Sequence, residues 1–377
     1  MKNRFFYYIL MFLVCSVNPS YGAELLETNT CIRCLGMGNV MSPIAKDVDA
    51  IYYNPAALGL VTGIHYEVFD VGFGLNGLDA MTQLTSISAD SSAGNLSQYM
   101  GSRFWLGAEG KTALVTHNFG FAAFDSGYLL FKLHDPVLPK FETTYLNDTT
   151  YVFGFAFPIK ENSSYFGISL RQINRAGGTA DIGAASLTSG SALTSLMDQF
   201  QDAGQGLGLD LAYLYKIDTP FQPTFTAVWQ NFGGTSFRLT TGTTKPAFLQ
   251  NNLSLGFSSF LDLPGLDWTN ALEYRNYYAY SEDYGKKLHF GTELSIPFIT
   301  IRAGINQGYT TYGLGLNLLI MDLDLAYYNE ELGEYPGQDG QNRIMVGLKM
   351  DVGFDADFNF SSFGTSNGKK RKMKQRR

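Results

Sequence analysis

Leu207-Gly208-Leu209-Asp210-Leu211-Ala212-Tyr213-Leu214-Tyr215-Lys216-Ile217 divides into two faces with a period of two. Leu207, Leu209, Leu211, Tyr213, Tyr215 and Ile217 share one side of an extended chain. Gly208, Asp210, Ala212, Leu214 and Lys216 share the other. The same division returns on both sides of this stretch. Phe153-Phe155-Phe157-Ile159 opposes Gly154 and Ala156, and Phe166-Ile168-Leu170 opposes Gly167, Ser169 and Arg171. Later, Leu288-Phe290-Thr292-Leu294-Ile296, Ile299-Ile301-Ala303-Ile305, Tyr312-Leu314-Leu316-Leu318 and Ile344-Val346-Leu348-Met350-Val352 each oppose residues that are small or charged.

About fourteen such segments are expected, near 64–75, 111–118, 119–134, 142–159, 163–174, 205–217, 222–234, 250–262, 266–278, 285–296, 298–307, 309–320, 321–329 and 341–354. Many are about as long as the 9–11 residues a tilted strand needs to cross a bilayer. A soluble β-sandwich also alternates, but it turns its polar face to water. Here the polar face is rich in glycine, which suits a lumen that must admit a plug or a ligand rather than a solvated surface. The composition agrees: 15% of the 377 residues are aromatic, 41 are glycine and only 16% are charged, against about 25% charged in ordinary soluble domains. The expected fold is all-β, a transmembrane antiparallel β-barrel over 63–360.

Export is read from the first residues. Lys2 and Arg4 precede an apolar run from Phe5 to Val17, and Ser20-Tyr21-Gly22 supplies the small residues of a cleavage site. Residues 1–22 are therefore expected to be a signal peptide, since the run is too short to span a membrane. After it no stretch of about 18 apolar residues appears, so a closed barrel is the one way this chain can satisfy its backbone in lipid. Two segments depart from alternation, near 78–100 and 181–203. Their apolar spacing predicts helical excursions between strands. Seven of the last nine residues are basic, so 361–377 is expected to form a basic C-terminal tail on a chain of net charge −7. Such a tail has either bulk solvent or anionic lipid head groups as its surroundings.

Between leader and first strand stand Leu35-Gly36-Met37-Gly38-Asn39-Val40 and Ala45-Lys46-Asp47-Val48-Asp49-Ala50-Ile51-Tyr52-Tyr53-Asn54-Pro55-Ala56-Ala57-Leu58. Pro55 pushes Asn54 out of the α region, so a helix from Asp47 must break there. The Asn54 side chain can then bond backbone groups that the break exposes. This region resembles the N-terminal part of the FadL/PorV-like superfamily of outer-membrane barrels, in which a Gly-Met-Gly stretch precedes an acidic helix ending in Asn-Pro-Ala. Gly206-Leu207-Gly208-Leu209-Asp210, Ile301-Arg302-Ala303-Gly304-Ile305 and Asp324-Leu325-Ala326-Tyr327-Tyr328 are similar to it as well. The resemblance implies a fourteen-stranded barrel in the cell outer membrane with a small helical plug, residues 23–62, inside the lumen. In this setting Asn54, Pro55 and Ala56 are expected to form the turn that fixes the plug and to act as its gate. In FadL-type proteins the plug controls passage of hydrophobic molecules, which leave sideways through the wall; in PorV-type proteins the barrel docks secreted or assembly proteins. The motif is common to both branches. A hydrophobic small-molecule ligand and a secreted or assembly protein are thus alternative partners, beside outer-membrane lipid; a nucleic-acid partner is not expected.

Cys31 and Cys34 form a CxxC pair ahead of this block. A c-type haem site would need histidine at position 35, which is leucine. A structural zinc needs two further ligands, and His65, His117, His134 and His289 are scattered. A disulfide suits an oxidising compartment. Gly72-Phe73-Gly74-Leu75-Asn76-Gly77 matches a dinucleotide fingerprint in letters, but the alternating helices of a parallel sheet are lacking. No Ser/His/acid arrangement suggests catalysis, so neither an enzyme nor a cofactor or metal is expected. Charges on the polar faces, among them Asp210, Glu273, Arg275, Lys287, Glu293, Arg302, Asp322, Asp324, Lys349 and Asp351, are expected to pair inside the lumen and hold the plug.

Overall fold

A computed structural model describes residues 31–77, 82, 86, 99–135, 140–160, 162–183, 200–280, 282–318 and 320–354. Its strands are β1 (Ile64–Leu75), β2 (Arg103–Thr116), β3 (Phe119–His134), β4 (Lys140–Lys160), β5 (Ser164–Gly183), β6 (Ala203–Lys216), β7 (Thr224–Gln230) and β8 (Arg238–Thr241). They continue with β9 (Asn252–Leu263), β10 (Leu266–Tyr274), β11 (Leu288–Ser295), β12 (Ile299–Asn306), β13 (Tyr309–Leu318), β14 (Met321–Glu331) and β15 (Gly340–Phe354). All pairings are antiparallel; β5 meets β6, β7 meets β9, and β15 returns to β1. Fourteen strands therefore close a ring. The short β8 stands outside it, paired with the Ala203 end of β6. Closure leaves no edge strand in the ring, which is the condition for placing strands in hydrocarbon.

The faces fall as the sequence predicts. In β6, Leu207 is 78% exposed while Asp210 is 0% exposed. Phe153, Phe155 and Phe157 point out of the wall, and Gly154 and Ala156 point into it. The inversion of ordinary burial, with leucine and phenylalanine outside and aspartate, arginine and glycine inside, defines a wall whose solvent is lipid. Lipid-side rings pair across strands, Phe121 with Phe153 at 4.8 Å and Phe225 with Phe257 at 5.1 Å.

Several boundaries differ from expectation. β2 starts at Arg103 rather than near 111, because Gly107, Ala108 and Gly110 blur the alternation there. β7 ends at Gln230 rather than near 234: Asn231, Gly233 and Gly234 all take positive φ and turn the chain away. β10 ends at Tyr274, two residues before Asn276 with φ 53°. The helical excursion expected from 181 is contradicted at both ends: residues 181–183 complete β5, paired with Lys140–Glu142, and Ala203 opens β6. Ladder partners on β4 outweigh the weak helical spacing. Residues 184–199 of that segment lie outside the described residues, as do most of 78–100, the leader and the tail; of 78–100, Thr82 and Ser86 are helical.

The two rims are unlike. At the rim holding Ile64 and Phe354, connections such as 117–118 and 264–265 are short. At the other, 275–287 and 332–339 are longer, the usual division between periplasmic turns and extracellular loops.

Candidate functional site

Cys31 to Gly63 fill the lumen with a chain of small elements: α1 (Ile32–Leu35), a 3₁₀ turn Ser42–Ile44, α2 (Asp49–Tyr53) and a 3₁₀ helix Pro55–Leu60. Each is too short to be stable alone. Their order comes from burial of Met37, Val40, Ile51, Ala56 and Leu58, all at 0% exposure, against inward side chains of the wall. Cys31 and Cys34 are joined by a disulfide, and Cys31 caps α1.

Asn54, Pro55 and Ala56 sit at the corner between α2 and the 3₁₀ helix. Asn54 is fully buried and ends one element while starting the next. Its backbone N–H donates to the Ala50 carbonyl at 3.1 Å. Its side-chain oxygen accepts from the Ala56 N–H at 3.1 Å, and its amide donates to the Ser42 carbonyl at 3.0 Å. The residue thus binds two halves of the plug that are twelve positions apart. Ala56 lies flat on the wall at Gly167 of β5, where any Cβ would strike its backbone nitrogen.

The Gly-Met-Gly stretch presses equally close. Gly38 has φ +68°, and a side chain there would collide with the Phe290 and Ile305 carbonyls. A Cβ on Gly304 would fall on the Gly38 nitrogen, and one on Gly313 would stand 3.0 Å from the Gly36 Cα. Inward glycines of the wall are therefore the seat of the plug, which accounts for the glycine-rich polar face.

Polar side chains of the wall receive the plug backbone. Glu273 of β10 accepts from Met41 N–H at 2.7 Å and Ser42 Oγ at 2.5 Å, with Ser42 N–H at 3.3 Å. Arg275 donates to the Asn39 carbonyl at 2.9 Å, and Ser258 to the Pro43 carbonyl at 2.7 Å. Thr311 accepts from Gly38 N–H at 2.9 Å, and His289 Nδ1 lies 3.0 Å from the Gly38 carbonyl. Arg171, held by Asp210 at 2.6 Å, donates to the Tyr52 carbonyl at 2.9 Å.

Two ionic chains complete the anchoring. Arg33 makes a two-point contact with Glu293 at 2.8 Å, and Glu293 also accepts from Arg302, which reaches Asp324. Asp49 lies 3.6 Å from Arg33 and 3.5 Å from Lys349, and Lys349 continues to Glu67, which accepts the Tyr52 hydroxyl at 2.6 Å. Burial alone would raise the Asp49 carboxyl; Lys349 and Arg33 outweigh it and hold the group below its ordinary value. Breaking one member of such a buried set costs about 3–5 kcal/mol, because its partner is left uncompensated. Of the polar-face charges read from sequence, Asp210, Glu273, Arg275, Glu293, Arg302, Asp324 and Lys349 belong to this anchoring. Lys287 does not: it stands at the long-loop rim over the Tyr284 ring. Arg33, Asp49, Glu67, Thr311 and His289 were missed, since the alternation marks which face a residue takes and not which plug atom it meets.

The plug has unlike surroundings on its two sides. Toward the short-turn rim lies a cavity of about 760 Å³, lined by Lys46, Asp47, Asp49, Asp70, Asp322 and Asp351 among others. It is charged, not apolar. Toward the other rim Ile32 and Leu35 pack with Trp105, Tyr328 and Met345, and Tyr128 and Leu130 adjoin them. Gly72 and Gly74, part of the dinucleotide-like letters, are wall positions behind Ile32 and Trp105. Arg343 stacks over Trp105 at 4.3 Å.

A closed wall with an apolar exterior, fourteen ring strands and an N-terminal segment filling the lumen defines a plugged transmembrane β-barrel. Solved structures share this fold. A mutant of the monoaromatic hydrocarbon channel TodX superposes with a TM-score of 0.52 at 12% identity, over 86% of this chain and 98% of that one. The toluene transporter TbuX of Ralstonia pickettii gives 0.50 at 14% identity, over 85% and 97%. No protein-family model and no curated protein matches the chain by sequence.

Proposed function

We propose that the barrel lets hydrophobic small molecules cross the outer membrane passively, with the plug as gate and Asn54-Pro55-Ala56 as its fixed corner. The observation that carries this reading is the apolar cluster of Trp105, Tyr128, Leu130, Tyr328 and Met345, which packs on plug residues Ile32 and Leu35 on the long-loop side. An apolar molecule entering from that side gains by burial exactly where it competes with the contacts of α1. Two proteins of like fold are a monoaromatic hydrocarbon channel and a toluene transporter, which supports the same ligand class. The charged cavity beyond the plug is a poor place for such a ligand, so displacement of α1 must come with a path that avoids it.

The test is uptake into liposomes holding the purified protein, with radiolabelled toluene and a long-chain fatty acid as probes. Replacing Asn54 by alanine, Pro55 by glycine and Ala56 by leucine in one variant removes two hydrogen bonds and the fit on Gly167. Uptake is expected to rise at least fivefold. Unchanged uptake of both probes overturns the gating role. A polypeptide retained through purification, with no uptake by the wild type, would move the function to protein docking.

A further inference from the structure

We propose that the long-loop rim carries a saccharide-binding site, in a recess between residues 275–280 with 282–287 and residues 332–339. The recess holds about 430 Å³, within the range of small-molecule sites, and Tyr277, Tyr280, Tyr284 and Tyr335 line it. Tyr280 is 52% exposed, Tyr284 78% and Tyr335 54%. Tyrosines are common at the interfaces of membrane barrels, where they lie on a convex wall. Here they line a concavity made by two loops clasped across the short Gln307–Gly308 turn.

The clasp is built. Lys286, fully buried, bonds Glu282 at 2.5 Å and donates to the Gly333 carbonyl of the other loop at 2.7 Å. Glu331 closes the second loop by accepting from the N–H groups of Gly333, Gly337 and Asp339 at 2.7–2.8 Å and from the Tyr309 hydroxyl at 2.7 Å. On the other side Trp229 stacks on Tyr278 at 5.3 Å, and Tyr277 and Tyr280 stand edge-on to that ring. The Tyr277 and Tyr280 rings are therefore set before any ligand arrives, which lowers the entropic cost of binding.

The chemistry of the lining selects the ligand. Asp283 and Glu334 beside the rings disfavour a purely apolar guest. In the lining of the recess Glu282, Asp283 and Glu334 outnumber Lys287, which disfavours a polyanion. Lys287 already lies 5.6 Å over the Tyr284 ring, so a simple cation would meet a like charge. A polyhydroxylated ring fits each part: its C–H faces lie on the negative faces of exposed tyrosines, and its hydroxyl edges meet acceptors at the carboxylates and a donor at Lys287. Its source is either a glycolipid of the facing leaflet or a free oligosaccharide.

The test compares the detergent-purified wild type with a Tyr280→Ala/Tyr335→Ala variant, by saturation-transfer NMR and titration. One probe is the delipidated core oligosaccharide of lipopolysaccharide; the other is intact lipopolysaccharide in nanodiscs. Binding that weakens about tenfold in the variant supports the site, since each stacked ring contributes a few-fold. Response to the free oligosaccharide identifies a soluble glycan, and response to intact lipopolysaccharide alone identifies the glycolipid. Absence of response to both probes, or equal binding by wild type and variant, overturns it. Unchanged toluene uptake and heat-modifiable gel migration show that the variant is folded, and separate this outcome from any failure of the transport reading.

Discussion

Replacing Glu273 by alanine should release the Gly38–Ile44 part of the plug while the barrel stays closed. The Glu273 carboxylate is 2% exposed and receives Met41 N–H, Ser42 N–H and Ser42 Oγ. After truncation Ser42 Oγ keeps Thr226 at 3.1 Å, but the two buried backbone N–H groups lose their acceptor. Each orphaned donor costs about 1–3 kcal/mol, so the segment loses roughly 4 kcal/mol of docking energy, about a thousandfold in its opening equilibrium. Hydrogen exchange followed by mass spectrometry in detergent reads that change directly as faster exchange at residues 41 and 42. Peptides from β12 serve as the internal reference and should keep wild-type protection. If exchange at 41–42 stays within about threefold of wild type, the account of the wall as a set of backbone acceptors for the plug is wrong.

Two further outcomes follow from the same geometry. Gly304→Val places a side chain on the Gly38 nitrogen, so the plug should be expelled while the barrel folds. Single-channel conductance should then rise above that of wild type with heat-modifiable migration retained, and wild-type conductance would count against the seat. Asp49 titrates below its ordinary 3.8 in the folded state. Its contribution is therefore fully present above that value and lost as pH falls through the depressed one. Plug protection, corrected for intrinsic exchange, should hold from pH 7 down to about 4 and weaken below. Asp49→Asn should be less protected at pH 7 and lack that acidic step; an unchanged step would assign it to another group.

The wall was legible in the sequence because a strand in a barrel obeys one local rule. Residues 207–217 must show lipid one side and the lumen the other, and the period of two records this in the letters whatever the partner strand is. The places where the reading slipped are those where a non-local partner decides: β2 is extended at Gly107–Gly110 because β1 and β3 flank it, and 181–183 are strand because β4 continues beside them. The Asn54–Pro55 break was legible too, since proline acts on its own neighbour.

What the order of residues could not contain is who meets whom across the lumen. Glu273 and Ser42 are 231 positions apart, Arg33 and Glu293 are 260, and Gly38 and Thr311 are 273. These contacts exist because closing fourteen strands brings every inward side chain to one narrow space around the plug. The sequence by itself determined the two faces of the wall, an approximate count of its strands and the corner at Asn54. Only the closed tertiary structure decided which glycines are the seat, which charges are anchors, and that the cavity on the short-turn side of the plug is charged while an apolar cluster packs on α1 on the other, because burial and charge compensation depend on distances that circular closure sets and local periodicity does not.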